Sequence, residues 1–164
     1  MFRTIVVALL TATVLAACGP APDSGESPVT AGPARLRYVA LGDSYTIGTA
    51  VSVEARWPDQ LVAALAANDP VLELVANLGV NGYTSRDVLV LELPQLAELR
   101  PDFVTLLIGV NDVVRGVSHE AYRRNAEAIL DDLVARVGAG RILVITTPDY
   151  TVTPAGGRYG EPAK

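Results

Sequence analysis

The chain has 164 residues, half of them hydrophobic, which is the length of one domain and enough apolar material for a sizeable core. With 13 basic and 18 acidic residues, the formal net charge of −5 argues against nucleic acid or an anionic membrane surface as an electrostatic partner. One cysteine, Cys18, and one histidine, His119, exclude a disulfide framework and a multi-cysteine zinc site, and no metal or other cofactor is expected.

Met1-Phe2-Arg3 is a short positive start, followed by an apolar run from Thr4 to Ala17 that ends in small residues. This is the pattern of a secretory signal peptide over residues 1–18. As a helix the run spans roughly 21 Å, short of a bilayer core of about 30 Å, which weighs against a permanent membrane span. Residues 19–35 carry Pro20, Pro22, Pro28 and Pro33 among Gly, Ser and Ala, a composition that reads as a tether. The folded domain is expected over residues 36–164.

Within that domain, Leu36 to Leu41 reads as a first strand. Trp57-Pro58 opens a helix to about Ala67, with Leu61 and Leu65 on one face. Val71 to Ala76 reads as a second strand. Arg86 to Leu99 has helical spacing, with Leu89, Leu93 and Leu96 on one side and a kink expected at Pro94. Phe103 to Ile108 is a nearly continuous apolar run, as in a central parallel strand covered on both faces. Ser118 is placed to cap a helix to Val137, which Gly138 and Gly140 end. Ile142 to Thr146 is a fourth strand, and Pro148 starts a loop. This alternation predicts an α/β fold with a parallel sheet between helical layers, where ligands bind beyond the carboxyl ends of the strands.

The loops at those ends hold the polar and glycine residues: Gly42-Asp43-Ser44-Tyr45, Asn77 to Gly82, Gly109 to Asp112, and Pro148-Asp149. Ser44 directly follows a buried-looking strand and is the candidate nucleophile, which requires a base and an oxyanion hole. Each segment also has an ordinary structural reading. Ser44 could N-cap the next helix, and the two Gly/Asn loops could be βα turns that need positive φ.

Taken together, Gly42-Asp43-Ser44, Asn77 to Gly82 followed by Thr84, and Gly109-Val110-Asn111-Asp112 resemble the three ordered blocks of the SGNH hydrolases, or GDSL-type esterases and lipases. Tyr45 stands where leucine is usual there. Trp57-Pro58 and Pro101-Asp102 fit the same family, and the resemblance covers about Leu36 to Asp149. It implies a flavodoxin-like three-layer α/β/α fold and hydrolysis of carboxylic esters through an acyl-Ser44 intermediate. The implied oxyanion hole is the backbone N–H of Ser44, the backbone N–H of Gly82 and the side-chain amide of Asn111. Acyl-esters, lysophospholipids and acetylated sugars all lie within the implied substrate range. The α/β-hydrolase elbow, Gly-x-Ser-x-Gly, is not matched, since Thr46 stands two past the serine.

Leu15-Ala16-Ala17-Cys18 similarly resembles the bacterial lipobox, which implies cleavage before Cys18, lipidation of its thiol and attachment to the outer face of a bacterial membrane.

One family feature has no counterpart. The base of an SGNH hydrolase is the histidine of an Asp-x-x-His block near the C-terminus, and no histidine follows His119. A fifth strand and terminal helix are also expected beyond the fourth strand, so the comparison implies that Lys164 is a truncation point. His119 sits beside a helix N-terminus, which disfavours the imidazolium a base must pass through. The expectation is therefore a hydrolase site with poor activity, on a sheet with an exposed edge. A non-catalytic lipoprotein binding glycans or lipids, and a nonfunctional fragment, are the other readings.

Overall fold

The computed structural model describes residues 34–154, 156 and 157, which belong to one unit beginning at Gly32. The expected signal peptide with Cys18, and the expected tether as far as Pro33, lie outside the described residues.

Four parallel strands form one sheet in the order β2-β1-β3-β4, with β1 at Arg35–Gly42, β2 at Val71–Asn77, β3 at Phe103–Leu107 and β4 at Ile142–Val144. β1 and β3 run in unbroken register from Tyr38 opposite Phe103 to Gly42 opposite Leu107. Alternation along β1 divides the core. Val39 and Leu41 point to one face, where they meet Val104, Leu106 and Ile108 together with Val88, Leu93, Leu96, Ile129 and Leu133. Tyr38 and Ala40 point to the other, against Leu72, Leu61, Val62 and Leu65. The sheet is thus covered on both sides, giving three layers.

Helices α1 (Ser44–Ile47) and α2 (Trp57–Ala64) follow β1. α2 ends three residues before the expected Ala67, but Leu61 and Leu65 pack on the sheet as their spacing requires. The segment expected as one kinked helix from Arg86 to Leu99 is instead four short pieces. These are α3 (Ser85–Asp87), a π-helical turn at Val88–Glu92, a 3₁₀ turn at Leu93–Gln95, and α4 (Leu96–Leu99). The Leu93 N–H bonds to the Val88 carbonyl five residues back, and Pro94 has no N–H to resume the regular ladder. The apolar face survives the break, with Leu93 and Leu96 buried and Leu89 packed against the core.

After β3 come α5 (Val110–Val114) and α6 (His119–Val137). Ser118 caps α6 through a bond from the Ala121 N–H, and Gly138 terminates it at φ +84°. β4 is three residues long rather than the expected five, although the Ile145 N–H still reaches the Leu106 carbonyl. At the end of the sheet away from the glycine loops, Asp102 accepts from the Arg37 N–H and donates its own N–H to the Arg37 carbonyl, locking the start of β3 to β1.

Candidate active site

The chain leaves β1 through Gly42, at φ +146°. A side chain here would collide with the Leu107 carbonyl and the Thr46 hydroxyl, so only glycine fits. Asp43 then caps α1. Its Oδ1 accepts from the Tyr45 N–H at 2.9 Å, and its carbonyl accepts from the N–H groups of Thr46 and Ile47. The cap is therefore Asp43 and not Ser44, which removes the ordinary structural reading of the serine. Ser44 is the first residue of α1 and half-buried. Neither its hydroxyl nor its N–H has a hydrogen-bond partner among the described residues.

The loop after β2 is tied to this turn. Asn77 donates to the Thr46 carbonyl at 2.8 Å and accepts from the Gly79 N–H. Gly79 packs on the backbone of α1, and the Val80 N–H bonds to the Gly42 carbonyl. Gly82, at φ +83°, keeps an N–H without a partner among the described residues, while its carbonyl accepts from Arg115 at 2.7 Å. Its conformation, more than close packing, requires glycine.

The loop after β3 closes the group. The Asn111 amide donates to the Tyr83 carbonyl at 2.8 Å and to Asp43 Oδ2 at 3.3 Å. It therefore touches the residue before Ser44 and the residue after Gly82. Asp112 accepts from both the N–H and the hydroxyl of Ser85, and Asn125 of α6 donates to that same hydroxyl. The paired Asn-Asp thus fixes two loops and two helices to the end of β3.

Three buried carboxyl groups surround this arrangement: Asp43, Glu92 and Asp112. No arginine is within ion-pair distance of them among the described residues. Burial raises the Asp43 pKa above the ordinary carboxylate range, and the nearby charge of Asp112 adds to this against the Tyr45 N–H bond. Burial pushes Glu92 up to about 8, despite the bond its Oε2 accepts from the Gly42 N–H.

His119 is exposed at the first position of α6. It lines a cavity of about 460 Å³ with Gly109, Asp112, Val113 and Tyr122, and Ser44 is not part of that lining. Asp149 caps the 3₁₀ turn at Tyr150–Val152 by accepting from Thr151.

Residues 40–163 match the GDSL-like Lipase/Acylhydrolase family. The chain belongs to that family. An arylesterase of Vibrio mimicus is 28% identical over 128 residues, which are 76% of this chain and 60% of that protein. The chain thus spans about 60% of the length of this curated relative. The esterase EstA from Pseudoalteromonas sp. superposes with a TM-score of 0.58 at 21% identity, over 78% of this chain and 69% of that one. A variant of the acetylxylan esterase Axe2 from Geobacillus stearothermophilus gives 0.59 at 22% identity, over 80% and 71%. These two likenesses concern the fold.

Within this family frame, the sequence reading singled out Ser44, Gly82 and Asn111, and the three loops that carry them are joined by hydrogen bonds. It did not single out Asp43 as cap, Asp112 as clamp or Glu92. For Asp43 the signal was present, since an aspartate just before a helix start is a favoured N-cap. Glu92 left a signal too, since it lies three residues after Leu89 and four before Leu96, on the apolar side of that run, where a glutamate is out of pattern.

Proposed function

We propose that this protein is an SGNH-type serine hydrolase of carboxylic esters in which Ser44 is the nucleophile. The supporting observation is the Asn111 amide, which bridges Asp43 and Tyr83 beside two unpaired N–H groups, those of Ser44 and Gly82. Attack on an ester carbonyl builds negative charge on its oxygen, and fixed donors aimed there are each worth roughly 3–4 kcal/mol. The Ser44 and Gly82 N–H groups supply two donors. Asn111 supplies the third by exchanging its longer bond, the 3.3 Å contact with Asp43, for the oxyanion. Attack by Ser44 Oγ forms the acyl-enzyme and expels the alcohol, and water then releases the acid.

The serine proton needs an acceptor, and the 164 residues hold no Asp-x-x-His block. His119 is exposed and lines a cavity that excludes Ser44. Turnover by this chain therefore rests on the oxyanion donors and substrate binding alone, which leaves modest residual catalysis. A fluorophosphonate tests the assignment. It should add slowly to Ser44, as mapped by peptide mass spectrometry, and not to Ser44→Ala. Labelling at another residue, or none after prolonged exposure, counts against it.

We also infer that the protein is exported and held on the outer face of a bacterial membrane by lipid on Cys18. The support is the small-residue run before the chain's single cysteine. Each buried CH₂ of an acyl chain contributes about 0.8 kcal/mol, so several chains hold the protein at the surface. Cys18→Ser should move the protein from the membrane fraction to the soluble fraction; unchanged fractionation argues against lipidation.

A further inference from the structure

The end of β1 depends on a carboxyl group from a distant part of the chain. Pairing between β1 and β2 stops at Ala40 and Asn77, two residues short of Gly42. The Gly42 N–H instead donates to Glu92 Oε2 at 2.9 Å, fifty residues away in sequence. Glu92 is fully buried, and its other oxygen, Oε1, has no hydrogen-bond partner among the described residues. Burying such a group is unfavourable, and an apolar side chain in the same volume would be expected if packing were its only role.

The backbone is arranged to bring it there. Glu92 closes the π-helical turn, where the Leu93 N–H reaches back five residues to Val88. Glu92 lies four residues after the buried Val88 and four before the buried Leu96, so it shares their inner face, and the π turn leaves Leu93 and Leu96 in the core. Single π turns recur at functional sites.

We propose that Glu92 is a positioning residue for the nucleophile turn: its carboxyl group holds the Gly42 N–H and thereby sets where Asp43 and Ser44 leave the sheet. The proposal rests on Ser44 being the nucleophile. Gly42 contributes no side chain to steer the turn, so the bond to its N–H and the bond from Val80 to its carbonyl fix its peptide planes. Asp43 follows directly and holds both the start of α1 and the Asn111 amide. An error in the Gly42 plane is therefore passed to Ser44 and to the oxyanion donors together. The charged groups acting on Glu92 are Asp43 and Asp87, and its high pKa keeps the carboxyl neutral at pH 7.

The test uses the full chain with Glu92→Gln, which keeps a carbonyl acceptor, and Glu92→Met, which removes it at similar size. Two readouts are taken: the rate of Ser44 phosphonylation, and the Gly42 amide resonance in ¹⁵N-edited spectra. Glu92→Gln should label within about twofold of the native chain, and Glu92→Met should label roughly tenfold or more slowly, as a displaced reacting group does. The Gly42 amide should shift in Glu92→Met and titrate between pH 6 and 9 in the native chain but not in Glu92→Gln. If Glu92→Met does not unfold cooperatively, Glu92→Asp, which withdraws the acceptor by one methylene, takes its place with the same expectation. Labelling of Glu92→Met, or of its replacement, at the native rate overturns the proposal. Absence of native labelling sinks Ser44 as nucleophile instead, and the Gly42 resonance alone then decides whether Glu92 holds the turn: an amide that does not shift in Glu92→Met rejects it.

Discussion

Asn111 has two amide hydrogens and two partners, the Tyr83 carbonyl and Asp43, so its position is fixed before any substrate arrives. In the proposed reading only the longer Asp43 contact is exchanged as charge develops, while the Tyr83 bond keeps the amide in place. Asn111→Ala is expected to lower the Ser44-dependent hydrolysis rate by roughly 10²–10³-fold, as loss of one oxyanion donor does. An unchanged rate would remove Asn111 from the hole. Glu92 gives a second residue-level test, in stability. Its pKa rises from an ordinary 4.5 to about 8 on folding. Between those values the folded chain binds a proton that the unfolded chain has released, so the stabilisation is complete below about pH 4.5 and is lost as pH rises to about 8. Relative to Glu92→Gln, the native unfolding midpoint should fall across that window. A constant difference between the two would mean that the carboxyl is not perturbed. The loops that carry Ser44, Gly82 and Asn111 were legible as the ligand edge of such a sheet, because polar residues and glycines cluster after its apolar strands, while the choice of Gly82 and Asn111 within them came from the family resemblance. The role of Glu92 was not legible, because its partner is a backbone N–H and leaves no trace in side-chain pattern.

The elements divide in the same way. α6 was readable from end to end, since Ser118, the apolar spacing through Ile129 and Leu133, and Gly138 all agree on one helix. Ser118→Ala should lower stability by about 1 kcal/mol, the usual effect of losing an N-cap. That change is read as a lower midpoint in denaturant with unaltered slope; no change would mean the cap bond is inconsequential. The segment between Ser85 and Leu99 was misread because its leucines repeat at helical spacing whether or not the backbone between them is regular. An i→i−5 bond at Leu93 inserts the extra residue while returning Leu93 and Leu96 to the same face. Apolar periodicity reports which face is buried, and it does not report the hydrogen-bond ladder. At β4, likewise, Ile142 to Thr146 is apolar enough for a five-residue strand, but only three residues pair with β3.

At the scale of the molecule, the order β2-β1-β3-β4 puts the Ser44 loop and the Asn111 loop on neighbouring central strands, with the Gly82 loop on the strand beside them. That adjacency lets loops distant in sequence be joined directly, as where Asn111 bonds to Asp43 and Tyr83. The alternation of strands and helices gave the parallel sheet and the shared loop edge, but alternation does not specify strand order, and none was read from the sequence. β4 forms one edge among the described residues, and Leu143 and Val144 on it are 45% and 53% exposed. In the proposed reading, neighbouring loops carry Ser44 and the oxyanion donors, and no described residue is assigned as the proton acceptor for Ser44. Steady-state hydrolysis of a p-nitrophenyl ester by the purified chain, beside Ser44→Ala, tests this most directly. The account predicts a small rate above buffer that Ser44→Ala abolishes. Rapid turnover abolished by Ser44→Ala would show that the chain contains its own base and would contradict it.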